Sequence, residues 1–338
     1  MTIVGGGLAG LALAAGLDPA RFDVAVLEAE PQRRALGSGI GLWPAARRAL
    51  DRIGALAPLG LPVGPAPTMG SLFDLRGRPL VALRGPDLQL VPRPALSAAL
   101  HDAMPATVRL ETAQVEDPAS LDGELVVGAG GVRSRVRGLV HPPAAQRIET
   151  PYVALRGMTA TVDPGAAGEY WGPGRLFGLA PMPDGRGYWF TTHRSALGPE
   201  PLDVATVLAE ASDCYADAAP VVRQTLAQAG PDTLATRMWV APPMPRYVRG
   251  RYVVIGDAAH ASLPNLGRGG CDALLDAVSL ADTLNRGGSL AAWQARRLPL
   301  TQAARIGAGG MMRLALLDRG HGLRDRALAT VGRALPRP

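Results

Sequence analysis

Val4-Gly5-Gly6-Gly7-Leu8-Ala9-Gly10 is the stretch on which the fold turns. It predicts a short strand from Thr2 to Val4, a glycine turn, and a helix from Leu8 to about Gly16. Gly5, Gly7 and Gly10 occupy the three glycine positions of GxGxxG. The first lets the chain leave the strand sharply. The second removes a side chain where a pyrophosphate approaches the backbone, and the third lets the helix pack closely on the sheet. Leu8 and Ala9 open the helix, where free N–H groups and the positive dipole end favour an anion. Asp23 to Leu27 predicts the next strand, and Glu28 closes it, eighteen residues past Gly10. An acid there is placed to accept hydrogen bonds from an adenosine ribose. Strand, glycines, helix, strand and acid in this order predict a dinucleotide site, with NAD and FAD equally compatible.

The chain has 338 residues, 47% hydrophobic and 19% charged, which predicts a globular protein with a large core and two domains, or one with an insertion. No apolar run is long enough for a membrane span, and the phosphate turn begins at residue 5, so no signal peptide is expected and the cytoplasm is the expected location. Cys214 and Cys271 lie far apart and are expected to be free thiols. No metal-ligand cluster is visible. The net charge is +6, but the arginines are interleaved with acids, which argues against nucleic acid as a partner. All 35 cations are arginines. Schiff-base and other lysine-dependent mechanisms are therefore closed to this chain.

Arg33 and Arg34 follow Glu28 and are candidates for cofactor phosphate, a solvated loop pair being the alternative. Gly37 to Trp43 reads as a loop leading into a helix from Pro44 to about Ile53. Residues 58–67 read as a crossing loop, and Ser71–Leu75 and Pro79–Leu83 as a hairpin outside the nucleotide domain. A helix is expected from about Arg93 to Met104, with Arg93 beside its first turn. Val108–Leu110 and Ala113–Val115 read as two short strands. Glu124 to Gly128 reads as a buried parallel strand, followed by a second glycine turn and a basic helix ending at Arg137. From Pro151 the pattern becomes an antiparallel sheet with Pro-Gly and Asp-Gly turns. Ten of the fifteen aromatic residues fall between Tyr152 and Tyr247, which makes that sheet a candidate pocket wall. Two helices follow, Leu202 to about Ala211 and Pro220 to Ala229. Arg251 to His260 returns to a strand ending in Gly256-Asp257, with a helix from Cys271 to Leu284. Leu290 to Leu335 is expected to be helical, broken at Gly307–Gly310 and near Gly320.

Three of these stretches together resemble the FAD-dependent aromatic hydroxylases, the para-hydroxybenzoate-hydroxylase-like group A flavoprotein monooxygenases. They are the opening glycine turn with Glu28, Glu124 to Arg137, and Tyr252 to Ala277. The resemblance implies an α/β fold: a Rossmann-like FAD-binding domain of the GR2 type, an inserted antiparallel β-sheet substrate domain and a C-terminal helical region. The FAD domain is expected at residues 1–67, 92–150 and 246–300, the substrate domain at 68–91 and 151–245, and the helical region at 301–338. It further implies that Arg93 lies by the pyrophosphate and ribityl region, that Gly256-Asp257 meets the ribityl chain, and that Pro264, Gly267, Gly269 and Gly270 run along the flavin ring. Gly130 stands where that family usually carries an acid, Ala45 where Asn is common, and Arg268 where Gln is usual.

The activity so implied is a monooxygenase that uses NAD(P)H and O2 to hydroxylate a small aromatic or polyketide-like substrate, in bacterial secondary metabolism, as a monomer or homodimer. An oxidase, dehydrogenase, epoxidase or Baeyer–Villiger enzyme is the alternative on the same scaffold. His193 and Arg268 are the candidate catalytic residues, with His260 and Arg156 as further candidates for a base and an anion holder, each weighed against a structural role. A binding protein without cofactor is the reading from another class; Glu28, Arg93 and Asp257 argue against it.

Overall fold

In a computed structural model, which describes residues 1–31, 38–61, 71–82 and 87–334, the opening stretch forms strand Thr2–Val4 and helix Leu8–Gly16. Leu8 to Ala14 are all buried, because the helix lies between a sheet on one side and helix Gly269–Asn285 on the other. A helix apolar all round is stable only when enclosed in this way. Asn285 locks the pair: its side-chain oxygen accepts from the Asp18 N–H at 2.9 Å and its amide donates to the Gly16 carbonyl at 2.9 Å. It thereby satisfies polar groups that the first helix leaves open at its end.

The enclosing sheet has six strands, in the order Val248–Arg249, Tyr252–Val254, Val126–Gly128, Thr2–Val4, Ala25–Glu28 and Arg109–Thr112. All neighbours are parallel except the first two. Strand Tyr252–Val254 thus pairs with Val126–Gly128 from more than a hundred residues away, and the nucleotide unit is completed late in the chain. The two strands expected between Val108 and Val115 are one, Arg109–Thr112, at the sheet edge.

A second sheet has seven strands, in the order Leu234–Val240, Ile148–Thr159, Gly187–Arg194, Arg175–Pro181, Gly168–Gly172, Ser71–Asp74 and Pro79–Ala82. The expected hairpin joins this sheet by running parallel to Gly168–Gly172. Strand Leu234–Val240 has no counterpart among the elements expected from the sequence. Helices Val204–Cys214 and Pro220–Ala227 cover one face, packing on Val153, Leu155, Phe177 and Trp189. The other face carries Tyr188, Phe190 and Trp171. Gly39–Leu42, read from sequence as a loop, is a strand paired antiparallel with Gln89–Pro92. Its partner lies some fifty residues on, beyond the reach of local pattern.

Helix Leu290–Ala315 is continuous through Pro299 and Gly307–Gly310; the expected break in the glycines does not occur. Burial of Thr301, Ala308, Met312 and Ala315 along one side outweighs the low helix propensity of Pro299 and of the glycines at 307, 309 and 310. The break near Gly320 is present, before helix His321–Ala334. Among the described residues no helix is long and apolar enough to cross a membrane.

The basic helix expected after the second glycine turn is short, Val136–Val140, and its arginine points inward. Arg137 is 1% exposed and donates to four carbonyls, those of Val132, Ala144, Ala145 and Ala258, at 2.7 to 3.4 Å. It ties three segments behind the sheet. Arg137→Met is expected to leave those carbonyls unpaired and to lower unfolding free energy by about 3 kcal/mol or more, measured by urea denaturation.

Candidate functional site

Three neighbouring parallel strands end side by side at Val4, Gly128 and Val254, and each runs into a glycine turn. The turns are Gly5–Gly7, Gly130–Gly131 and Gly256. Ligands of open α/β sheets bind at this carboxyl edge. Gly5 has φ +110°, and a side chain there would strike Ala129 and Gly130 backbone; one on Gly10 would strike the Gly5 carbonyl. A Cβ on Gly7, by contrast, meets nothing within 4 Å. The space in front of Gly7 is open, and no side chain caps the helix that begins at Leu8. An uncapped N-terminus behind an open glycine fits a bound pyrophosphate, with the N–H groups of Leu8 and Ala9 in its first turn.

Glu28 lies at the end of its strand, where one carboxylate oxygen accepts from Gly6 N–H at 2.7 Å and the other from Glu30 N–H at 2.9 Å. It is therefore anchored to the glycine turn itself. Arg93 is the first residue of helix Arg93–Asp102, and its N–H donates to the Ser38 carbonyl at 2.8 Å. Arg33 and Arg34 fall outside the described residues.

The far end of the site is built on Gly256, whose φ is +59°. That conformation favours glycine, and a side chain would also press on Ala9 and Ala273. Asp257 begins the next short helix and is exposed; a Cβ on Gly269 would come 3.9 Å from its carboxylate. Pro264 starts a 3-10 turn that ends at Gly267, with φ +57°, and Gly269 and Gly270 open helix Gly269–Asn285. Trp43 donates from its indole to the Gly267 carbonyl at 3.2 Å. Cys271 donates to the Gly41 carbonyl at 3.1 Å and accepts from Trp43 N–H at 3.4 Å. These bonds pin strand Gly39–Leu42 to the start of the helix. Trp43 and Cys271 carried no motif that could have announced the role.

Behind Gly256 lies a fully buried carboxylate, Asp276. One of its oxygens accepts from Gly256 N–H at 2.9 Å and meets His260 Nε2 at 2.7 Å; the other accepts from Arg297 Nε at 2.7 Å. Burial works against ionisation of Asp276, but His260, Arg297 and the Gly256 N–H together hold its pKa below the usual value. Burial likewise opposes a charged His260, and the Asp276 charge and hydrogen bond outweigh it, raising the imidazole pKa. His260 is thus a partner of Asp276 within the core, not a base facing ligand. Asp276 and Arg297 were missed because nothing local links a helix acid to a cation twenty-one residues on.

The structure separates the two candidate catalytic residues from that role. Residues alternate faces along a strand. His193, with Trp189, points to the side covered by helix Val204–Cys214, opposite to Tyr188 and Phe190. There it is 1% exposed, with Nε2 3.4 Å from Glu210, and burial, more than the offsetting carboxylate, pulls its pKa down. Arg268 does stand between Gly267 and Gly269, but its guanidinium is tied to Asp272 one turn on, at 3.1 and 3.3 Å. It is an ion-paired helix residue rather than a free cation. Arg156 is the better placed of the arginines. It is half-buried on the Tyr188 and Phe190 face, and its guanidinium makes no hydrogen bond or ion pair among the described residues. Tyr188 packs on Gly39, and its ring is within electrostatic reach of both Arg156 and Arg93. At Gly130 a side chain would make only ordinary contacts, the nearest atom being 3.7 Å away, so the glycine is not imposed by sterics. Among the described residues no group of acids, histidines or cysteines could hold a metal.

Comparison with known proteins agrees with this geometry. Residues 3–33 match the model of an NAD(P)-binding Rossmann-like domain, and residues 93–287 that of an FAD binding domain. The chain is 30% identical to the aurachin C monooxygenase/isomerase of Stigmatella aurantiaca, over 87% of this chain and 82% of that one. It is 29% identical to an FAD-dependent urate hydroxylase of Klebsiella oxytoca, over 83% and 80%. Its fold matches that of Klebsiella pneumoniae HpxO complexed with FAD and uric acid, with a TM-score of 0.81 at 24% identity, covering 99% of this chain and 92% of that one. A salicylate hydroxylase substrate complex matches with a TM-score of 0.76 at 19% identity, over 100% and 98%.

Three outcomes follow for this site. Asp276→Ala leaves Arg297, His260 and the Gly256 N–H without their partner, and is expected to lower stability by about 3–5 kcal/mol. The pH dependence has a definite sign. Because the folded pKa of His260 is raised, its contribution is complete below the ordinary value of 6.5 and fades as pH climbs through the raised one. The Asp276 contribution persists down through its ordinary value of 3.8 and fades only in stronger acid. Melting temperatures should therefore decline on the alkaline side, and His260→Asn should flatten that limb. Burial also pushes the Cys271 thiol up to about 11, so iodoacetamide at pH 8 should leave it unlabelled until the protein is unfolded.

Proposed function

This chain belongs to the FAD-dependent aromatic hydroxylases, the group A flavoprotein monooxygenases, and we propose that it uses NAD(P)H and O2 to hydroxylate a small aromatic or polyketide-like substrate in bacterial secondary metabolism. The observation that carries the reading is one arrangement. Three glycine turns end adjacent parallel strands, and an apolar sheet face bearing Tyr188 and Phe190 stands beside strand Gly39–Leu42. The relatives point the same way: aurachin C, urate and 3-amino-4-hydroxybenzoate appear in their names.

FAD, when bound, supplies the redox chemistry with NAD(P)H and O2. The chain supplies position, charge and dryness. Gly5, Gly7, Leu8, Ala9 and Gly10 would cradle the pyrophosphate, Glu28 the adenosine ribose, and Arg93 and Gly256-Asp257 the middle of the cofactor. Pro264, Gly267, Gly269 and Gly270 would border the flavin, where backbone N–H groups and the N-terminus of helix Gly269–Asn285 favour negative charge. Tyr188, Phe190 and Leu263, which pack in apolar clusters, would keep water from the reacting face. Arg156 would hold an oxygen anion of the substrate. Residues 1–67, 92–150 and 246–300 form the FAD unit in this reading, and the enzyme works in the cytoplasm as a monomer or homodimer.

Purified protein should be yellow or take up FAD stoichiometrically. Substrate should stimulate NAD(P)H and O2 consumption together, with one atom of 18O2 in the product. A substrate that bleaches the flavin while neither nicotinamide does so would overturn the reading. Glu28→Ala should weaken FAD binding by about tenfold, since about 1–2 kcal/mol of hydrogen bonding is lost, read by equilibrium dialysis.

A further inference from the structure

Four residues lie side by side across four strands of the seven-stranded sheet. Glu169 is in register with Gly178, Gly178 with Phe190, and Phe190 with Arg156. Register places all four on one face, that of Tyr188. Gly178 has no side chain, and the Phe190 ring fills its place: a Cβ there would lie 2.1 Å from the ring. The row is therefore a flat aromatic floor with a guanidinium at one end and a carboxyl at the other.

The carboxyl end is unusual in its surroundings. Glu169 is partly exposed, and its apolar neighbours on this face are Leu72, Trp171 and Phe190. Oε2 accepts from the Trp171 indole N–H at 2.7 Å, and Oε1 has no hydrogen bond among the described residues. Among the described residues no cation pairs with it. Arg324 lies over the Trp171 ring, 5.5 Å from its centroid, but donates to the Leu314 and Ala315 carbonyls and to Asp325. Arg156 stands at the opposite end of the row, and Tyr188 beside Phe190. An acceptor kept on an apolar floor, held by one donor and open on the other oxygen, suits a ligand that brings its own hydrogen.

We propose that Glu169 receives the proton of a phenolic O–H or ring N–H on the aromatic substrate. The inference rests on the monooxygenase reading above and deepens it. The substrate's O–H or N–H bond breaks, its electron pair stays on the substrate and enriches the ring, and Glu169 Oε1 gains the proton, later returned to solvent. Nothing is oxidised or reduced in this step. An electron-rich ring is the better acceptor of an electrophilic oxygen. Burial raises the Glu169 pKa, and the Trp171 hydrogen bond offsets this in part, which brings the carboxylate nearer in basicity to such a donor. The substrate class follows: neutral aromatics with a hydrogen-bond donor, oriented between Glu169 and Arg156.

The test uses the full-length FAD-loaded protein and two probes, 2-naphthol and its methyl ether, 2-methoxynaphthalene. Binding is read from the visible flavin band. Wild type should bind 2-naphthol at least about tenfold tighter than the ether, a difference of one hydrogen bond to a charged acceptor, and Glu169→Leu should abolish that preference. In Glu169→Gln, which keeps the size of the side chain and an acceptor for Trp171, kcat for naphthol-stimulated NAD(P)H oxidation should fall by about a hundredfold with little change in KM. The acid limb of the wild-type kcat–pH profile should vanish in that variant. If Glu169→Leu does not retain FAD, Glu169→Gln carries the test. Equal binding of the two probes by wild type, binding of neither, or a Glu169→Gln variant with wild-type kcat and pH profile overturns the proposal. Failure of wild type to take up FAD or to be reduced by NAD(P)H overturns the monooxygenase reading instead.

Discussion

The buried carboxylate of Asp276 is the constraint on which the site depends. An uncompensated ion in that position would be several kcal/mol unfavourable. It is tolerated because Gly256 N–H, His260 and Arg297 all converge on it. Those partners come from a strand end, a short helix and the long helix Leu290–Ala315. The same contact that neutralises the charge holds Gly256 in its left-handed turn and so aims Asp257 out of the core. Geometry at the far end of the cofactor site is thereby coupled to packing of the C-terminal helices.

A second junction joins the two sheets. Strand Gly39–Leu42 is pinned to the start of helix Gly269–Asn285 by the Cys271 thiol and the Trp43 indole, and it packs on Tyr188 of the aromatic sheet. The candidate flavin edge and the candidate substrate floor are therefore held by one short strand. Phe190, lying over Gly178, flattens that floor and leaves Arg156 and Glu169 at its ends. A ring set between opposite charges is oriented by both, which is a physical basis for regioselective attack.

Much of this was legible in the chain. Gly5 to Gly10, Glu28 and Gly256-Asp257 announce themselves because turn chemistry is local: it needs particular residues at fixed offsets. The hairpin from Ser71 to Ala82 is visible for the same reason. Other features were not legible. His193 reads as a base until the sheet register shows which way it points. Arg268 reads as a free cation until Asp272 is found beneath it. Arg137 reads as part of a basic helix, yet it is buried under four carbonyls. Glycines 307 to 310 read as a break, yet burial along one side keeps the helix intact.

The sequence by itself determined the α/β class, the pyrophosphate turn, the interrupted nucleotide unit and the kinship with FAD-dependent hydroxylases. The first three rest on short-range rules of turn, period and spacing, and the kinship on the resemblance of three stretches, the opening glycine turn with Glu28, Glu124 to Arg137 and Tyr252 to Ala277. Only the tertiary structure decided which side chains share the aromatic face of the seven-stranded sheet. Face assignment in a sheet depends on register between strands far apart in sequence, and a shift of one residue reverses every side chain. Arg156 and Glu169 thus share one face of the sheet, and His193 lies on the other, because of pairings that no local pattern encodes.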